Sequence, residues 1–180
     1  MELKKVILNF SKEELELIKS NSECLISDLS KSTESVESKA NILFSLLILI
    51  IGSCLGILIN KYPSIDYSNL ITHETIIVLL ASFFSLRKIY KVLNLNDYKL
   101  LGTEPSFHIN YDGYNSENKI KEILKDTIVS YQSVIDKNTE IHSNKVKDMQ
   151  HSLDWIMKGI FFSIAYAFLY LVINFLFLQQ

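Results

Sequence analysis

The sequence predicts an all-α membrane protein with three transmembrane helices and two long cytoplasmic helical arms. Two apolar runs without any charged side chain lie at residues 41 to 60 and 159 to 178. Each follows a long stretch without Pro or Gly, the two residues that most disfavour a helix interior, at residues 12 to 51 and 117 to 158. Of the 180 residues, 48% are hydrophobic and 21% are charged, which favours one domain associated with a membrane.

The order of these stretches predicts seven segments. A bilayer core of about 30 Å needs roughly 20 helical residues, and the first and last apolar runs meet this length. The middle run is uncharged only from Thr75 to Leu86, but charged side chains at its ends can reach the interface, so we expect it to span as well. The predicted segments are a cytoplasmic arm (1–40), transmembrane helix 1 (41–60), an external loop (61–74), transmembrane helix 2 (75–90), a cytoplasmic connector (91–116), a second cytoplasmic arm (117–157) and transmembrane helix 3 (158–178).

The first arm carries a helix start signal and a heptad-like pattern. Ser11 and Glu14 have the spacing of a capping box, which predicts a helix that begins near Lys12 and continues into the first span. Steps of three and four residues predict one packed face. This face would be used either within the subunit or between subunits. Its residues are Leu15, Ile18, Ser22, Leu25, Leu29, Ser32, Val36, Lys39 and Leu43.

The second arm repeats this pattern and predicts one helix that enters the third span, unless it bends at residues 142 to 144. Asn138 falls on the packed face, where a buried polar residue can fix the register. The expected face comprises Ile120, Leu124, Thr127, Tyr131, Val134, Asn138 and Ile141, and then shifts to Val146, Met149, Leu153 and Ile156. The connector contains an alternation that could form a strand, Phe107, Ile109 and Tyr111, and we expect it to pack on the arms.

The distribution of basic residues predicts the orientation. Lys and Arg number six in residues 1–40, one in residues 61–74 and eleven in residues 87–158. The positive-inside rule then places the N-terminus in the cytoplasm and the C-terminus outside. Both arms would run toward the membrane and lie parallel.

The sequence gives no sign of catalysis, a metal or a cofactor. The four His residues lack ligand spacing, no Gly-rich phosphate loop occurs, and Arg87 is the single Arg. A net charge of -2 with mixed signs argues against direct nucleic-acid binding. We therefore expect a protein that is not an enzyme and whose partner is the lipid bilayer.

Small and polar residues mark one face of the first and third spans. Small residues allow helices to approach closely, and intramembrane polar groups require a partner or water. Helix packing and a water-lined path are therefore both open interpretations. The packing candidates are Gly52, Gly56, Gly159 and Ala167, and the candidates for pore lining or interhelix contact are Ser163, Tyr170, Asn174, Ser45, Ser53 and Asn60.

The order of parts resembles small bacterial membrane proteins of phage-defence loci. The residues that carry the resemblance are Glu37-Ser-Lys-Ala40, Tyr98-Lys99, Gly102-Thr-Glu-Pro105, Tyr131, Asn138 and Asn144-Lys145. Such proteins are similar to the transmembrane effectors of cyclic-nucleotide (CBASS- or Pycsar-like) and CRISPR-linked systems. This chain departs from those effectors because it has no recognisable nucleotide-sensor domain.

The resemblance implies an oligomeric effector of anti-phage defence in the bacterial inner membrane. When triggered, such an effector would permeabilise or depolarise the membrane, and its arms would meet a cytoplasmic partner of the defence system. The alternative from another class is a membrane scaffold, or an accessory subunit, that recruits a partner through its cytoplasmic helices. Homo-oligomerisation is expected from the heptad-like faces.

Overall fold

A computed structural model describes residues 10–60, 69–94 and 116–177, and within these ranges the chain is helical. It contains three helices, α1 (Lys12–Asn60), α2 (Leu70–Leu93) and α3 (Ser116–Phe177), and no strand in the described ranges. The all-α prediction is confirmed for this part of the chain. The predicted strand at Phe107, Ile109 and Tyr111 lies outside it.

The capping box sets the start of α1. The backbone N–H of Ser11 donates to Oε2 of Glu14 at 2.7 Å, and the N–H of Glu14 donates to Oγ of Ser11 at 3.2 Å. The first of these bonds lowers the pKa of Glu14, with a smaller contribution from the Ser11 side chain. The helix then continues for 49 residues to Asn60, as its lack of Pro and early Gly predicts.

The other two helices contain the apolar segments identified in the sequence. The side chain of Asn69 accepts a hydrogen bond from the N–H of Ile71 at 3.0 Å, which explains why α2 begins at Leu70. It ends at Leu93, so the helix extends past the predicted transmembrane segment 75–90 on both sides. The 62-residue α3 is helical without interruption through residues 142 to 144.

The described chain forms two compact units, and the first is the arm pair, residues 10–34 and 116–143. Its core contains Leu15, Leu124 and Ile128. Further along both helices, the hydroxyl of Tyr131 donates a hydrogen bond to Oε1 of Glu23 at 3.0 Å. Contacts of the same offset recur along both helices, so α1 and α3 run parallel here, within one subunit. The heptad-like faces of the two arms therefore pack on each other within the subunit, and packing between subunits stays a prediction.

The buried face of α1 differs from the predicted face at one of the two positions in each heptad. Ile26 and Thr33 are buried, whereas the predicted Leu25 and Ser32 are exposed. The other predicted position of each heptad is half-buried. The prediction was therefore wrong for these two positions, although Leu15 is fully buried as expected.

The second unit, called here the three-helix unit, contains residues 35–60, 69–94 and 144–177. Its apolar core is formed by Ala40, Leu47, Ile89 and Val92. The same one-residue difference recurs here at one heptad position of α1, because Ala40 is buried and the predicted Lys39 is exposed. The core keeps seven-residue spacing on α1, which is typical of helices that pack like a left-handed coiled coil.

The directions of the three helices follow from their contacts. Glu37 pairs with Lys145, so α1 and α3 run parallel, since the residues that follow each of them also approach one another. On α2, Lys88 contacts Asp148 while His73 contacts Tyr166. The order is reversed, so α2 runs antiparallel to α3.

Two of the described helices are long and apolar enough to cross a membrane, α1 and α3. Only 11% of the most apolar stretch of α1 and 6% of that of α3 are buried within the chain. A core helix of a water-soluble protein would bury most of such a stretch. The exposed apolar surface indicates membrane association. The spanning role of α2 stays a prediction.

Candidate functional site

The backbones of α2 and α3 come close together at Gly159. Gly159 is buried, and a Cβ atom added there would overlap the Cβ of Ala81 on α2. A larger residue would force one of the helices to shift. Close approach through a residue without a side chain is how small residues support packing between membrane helices.

The glycines of α1 have no such neighbour. No atom of the described residues, apart from the adjoining parts of α1 itself, lies within 4 Å of a Cβ added to Gly52 or Gly56. The GxxxG face of α1 is therefore open within this subunit.

The polar residues of α1 lie on the exposed side of the helix. Ser45, Ser53 and Asn60 are all exposed. The hydroxyl of Ser45 donates to the carbonyl of Asn41 at 3.0 Å, and that of Ser53 donates to the carbonyl of Leu49 at 2.9 Å. Because each hydroxyl is satisfied by its own helix, these groups can face lipid at a reduced desolvation cost.

The polar face of α3 is half-buried. Ser163, Ala167, Tyr170 and Asn174 are each less exposed than the large apolar residues around them. The side-chain nitrogen of Asn174 donates to the carbonyl of Tyr170 at 3.0 Å. This bond gives the side-chain nitrogen of Asn174 the hydrogen-bond partner that a polar group inside a membrane requires. The polarity of Asn174 alone therefore does not imply a water-lined path.

A polar cluster lies at the N-terminal end of α2. The imidazole of His73 hydrogen-bonds the hydroxyl of Tyr166, and the two ring centroids are 5.2 Å apart. Next to His73, Oγ1 of Thr72 and Oε1 of Glu74 are buried and have no hydrogen-bond partner among the described residues. This cluster was not anticipated from the sequence.

Polar contacts also tie α3 to both of its neighbours near the start of the three-helix unit. Lys145, only 4% exposed, pairs with Glu37 of α1. Lys88 of α2 lies 3.3 Å from Asp148. A buried cation is tolerated only when it is paired in this way.

One turn further along, the hydroxyls of Ser85 and Ser152 are 2.5 Å apart. Both serines are fully buried. The two hydroxyls hydrogen-bond to each other, so neither is left without a partner inside the unit.

The arm pair also contains polar contacts, which lie C-terminal to its apolar core on both helices. Oγ1 of Thr33 lies 2.9 Å from Nδ1 of His142, and Tyr131 donates to Glu23. Burial raises the pKa of Tyr131, and the hydrogen bond to Glu23 and its negative charge raise it further. The fully buried Asn138 lies between these contacts, as its predicted position on the packed face requires.

The buried polar residues of α3 in the three-helix unit were not predicted from the sequence. The predicted face includes Leu153, which is 43% exposed, whereas Lys145 and Ser152 are buried. The signal that could have found them is the spacing of Asn138, Lys145, Ser152 and Gly159, which lie seven residues apart.

A groove of about 490 Å³ runs along the surface where the apolar segments of α2 and α3 meet. It opens toward the surface of the unit. The ring of Trp155 stacks on Phe84 with centroids 4.8 Å apart, and Nζ of Lys158 lies 5.3 Å from the Trp155 ring. The lining residues are Ile77, Leu80, Ala81, Phe84, Trp155, Lys158, Gly159, Phe162, Ala165, Tyr166 and Leu169.

A smaller cavity of about 140 Å³ lies where all three helices meet. Its lining is apolar except for Ser82, and Gly159 borders both this cavity and the groove. None of the six candidates for pore lining borders either space. The structure thus separates them into an exposed set on α1 and a half-buried set on α3.

Within the described ranges no group of three or more His, Cys, Asp or Glu residues is arranged to hold a metal ion. Comparison with known proteins finds no matching protein-family model, curated protein or solved structure.

Proposed function

We propose that this chain is a subunit of an oligomeric membrane effector that permeabilises or depolarises the bacterial inner membrane when triggered. The observation that carries the proposal is the open face of α1. There Gly52 and Gly56 have space for a neighbour, and Ser45, Ser53 and Asn60 lie exposed on the same helix.

Assembly through this face would bring the polar residues of several copies together. A small-residue groove lets a neighbouring helix approach closely, which favours association of membrane helices. The α1 hydroxyls now bond their own helix, but next to water they can turn outward and hydrate a path. The α3 set, Ser163, Tyr170 and Asn174, is the second choice for this path.

The arm pair is the proposed receiver of the trigger. It is held partly by polar contacts, Glu23 with Tyr131 and Thr33 with His142, and such contacts can be exchanged for contacts with a partner. Because α1 and α3 each continue as one helix from arm to apolar stretch, a change in their pairing would reach the membrane segments. The protein acts in this proposal through a cytoplasmic partner and lipid, without a reaction of its own.

The test is ion flux from vesicles that contain the purified full-length chain. With the neighbouring gene products added as the trigger, vesicles that contain wild type should release an enclosed dye, and planar bilayers should conduct. Gly56→Leu should reduce both, together with the oligomer size in native mass analysis. Ile57→Leu is the matched control, because Ile57 is already large and exposed. Flux and oligomer size should stay unchanged in this control.

Absence of flux in wild type, also when the neighbouring gene products and a triggering phage are supplied in cells, would overturn the effector proposal. The scaffold alternative is favoured by two large apolar residues exposed in the arm pair, Leu17 (62%) and Leu25 (52%). Outside lipid such side chains can bind a protein partner. If the chain is a scaffold, Leu25→Asp should abolish binding of the neighbouring gene product. Neither wild type nor any variant should then show ion flux.

A further inference from the structure

The groove between α2 and α3 is open, apolar and carries a cation at one end. Large side chains on its rim remain exposed, among them Leu80 and Phe162. A volume of about 490 Å³ falls in the range of sites that hold small molecules, which is about 300–1,000 Å³. An apolar space of this kind does not hold ordered water, so inside a bilayer it takes an apolar occupant.

The cation is Lys158. It is the last charged residue before the uncharged run of α3. In the described ranges Lys158 forms no ion pair with a carboxylate, and its Nζ lies over the Trp155 ring at 5.3 Å. Trp and Lys at the end of an apolar run are typical of the membrane interface.

A second cation lies toward the same end of the groove. Arg87 is exposed on α2, three residues after Phe84, which stacks on Trp155. Positions three apart lie on neighbouring parts of one helix face. Two cations from two helices therefore lie near one end of an apolar groove, which suits a ligand with an anionic head and an apolar tail.

The shape and charge of the groove favour a lipid tail as its occupant. The part of the groove on α3 beyond the cation, from Lys158 to Leu169, corresponds to about 16 Å at 1.5 Å per residue, close to the ~15 Å hydrocarbon depth of one leaflet. The whole lining on α3 extends from Trp155 to Leu169, about 21 Å, so the volume of about 490 Å³ corresponds to a slender groove with a mean cross-section on the order of 25 Å². Such a groove is wide enough for a hydrocarbon chain, and the cations near one end favour a ligand with an anionic head over an apolar helix.

We propose that the α2–α3 groove binds one anionic glycerophospholipid, with an acyl chain lying in the groove along the α2–α3 contact and the phosphate on Lys158, supported by Arg87. Under the predicted topology this lipid belongs to the cytoplasmic leaflet. The proposal does not depend on the effector function, because it rests on the three-helix unit alone.

The single Trp of the chain makes this site directly measurable. Trp155 lines the groove, so phospholipids with brominated acyl chains quench its fluorescence when they occupy it. Wild type in vesicles should be quenched more by brominated phosphatidylglycerol than by brominated phosphatidylcholine at the same mole fraction. Lys158→Gln should reduce this preference on the order of fivefold, the equivalent of about 1 kcal/mol per basic residue near an anionic surface.

Two variants separate the groove from general attraction to an anionic surface. Lys147→Gln removes an exposed charge of α3 outside the groove and should keep the preference. Ala165→Phe fills the groove from its rim and should weaken quenching by both lipids. Circular dichroism and size-exclusion chromatography establish that each variant is folded.

Equal quenching by the two lipids in wild type would overturn the proposal. So would a preference that Lys158→Gln leaves intact, or one that Lys147→Gln reduces just as much. Unchanged quenching in a folded Ala165→Phe variant would show that the lipid contacts Trp155 from outside the groove, which also contradicts the proposal.

Discussion

Three glycines of the apolar helices show how the same residue differs in role from one place to another. Gly159 faces Ala81 at a distance that leaves no space for a Cβ, whereas Gly52 and Gly56 face open space. We predict that Gly159→Ala destabilises the three-helix unit by about 1–3 kcal/mol, because added volume in a tight contact forces the helices apart. Unfolding in mild detergent, followed by circular dichroism, measures the difference.

Gly52→Ala is the matched control. The substitution is chemically the same, but within the subunit it enters open space. In the detergent-solubilised monomer it should therefore leave stability unchanged or raise it by up to about 1 kcal/mol through lower flexibility of the unfolded chain. Similar losses for both variants would mean that the close contact at Gly159 does not matter for stability.

Sequence spacing identified all three glycines as small residues on helix faces, but it could not distinguish them. The distinction depends on what lies opposite, and Ala81 is far from Gly159 in sequence. Asn174 shows the same limit. Its polarity predicted a need for a partner, whereas the partner found for its nitrogen is a carbonyl one turn earlier in its own helix.

At the scale of the helices, the heptad pattern predicted that α1 packs along one face but placed parts of that face one residue away. Leu25 and Ile26 are adjacent and both apolar, so the pattern could not choose between them. Further along, the buried positions are Thr33 and Ala40, which are no more apolar than many exposed residues. Which residues of α1 are buried depends on their partners on α3, such as His142, which lies within hydrogen-bond distance of Thr33.

The Glu37–Lys145 pair joins α1 and α3 and predicts an asymmetric response to mutation. Lys145 is 4% exposed while the Glu37 side chain is 39% exposed. Glu37→Leu leaves a buried cation without its partner, and we expect a loss of about 3 kcal/mol, at the low end for a broken buried pair because Glu37 is partly solvated. Lys145→Leu leaves a carboxylate that water can reach, so the loss should be clearly smaller.

Unfolding of the full chain in detergent measures both variants, and Glu16→Ala serves as control. Glu16 forms an exposed pair with Lys12, and its loss should cost less than about 0.5 kcal/mol. If Lys145→Leu were as harmful as Glu37→Leu, the unequal burial of the two partners would not govern the energy of this pair.

For the whole molecule, the helix directions bear on how the chain crosses the membrane. In the three-helix unit α1 and α3 run parallel and α2 antiparallel, which is the arrangement that three successive spans require. We predict a cytoplasmic N-terminus and an external C-terminus, since all of the 18 Lys and Arg residues except Lys61 lie in residues 1–40 and 87–158.

Reporter fusions measure this topology. A reporter that is active only outside the cytoplasm should work when fused after Gln180 or inserted in residues 61–68, and it should stay silent at Ser11. Silence in the loop insertion would mean that α1 does not carry the loop across the bilayer. Activity in the loop with silence after Gln180 would mean that only one of α2 and α3 crosses.

The parallel pairing of α1 with α3 also has a consequence for biosynthesis. Tyr131 and Glu23 are 108 residues apart in the chain, and Thr33 and His142 are 109 apart. At about 5–20 residues per second, the ribosome completes the partner of the first arm roughly 5 to 20 s after the arm itself. During that interval Leu15 and Ile26, which are buried in the finished protein, have no partner helix. The arm pair is thus formed late in folding, through contacts between residues far apart in the chain. Nascent chains that end before α3 expose the apolar face of the first arm to chaperones.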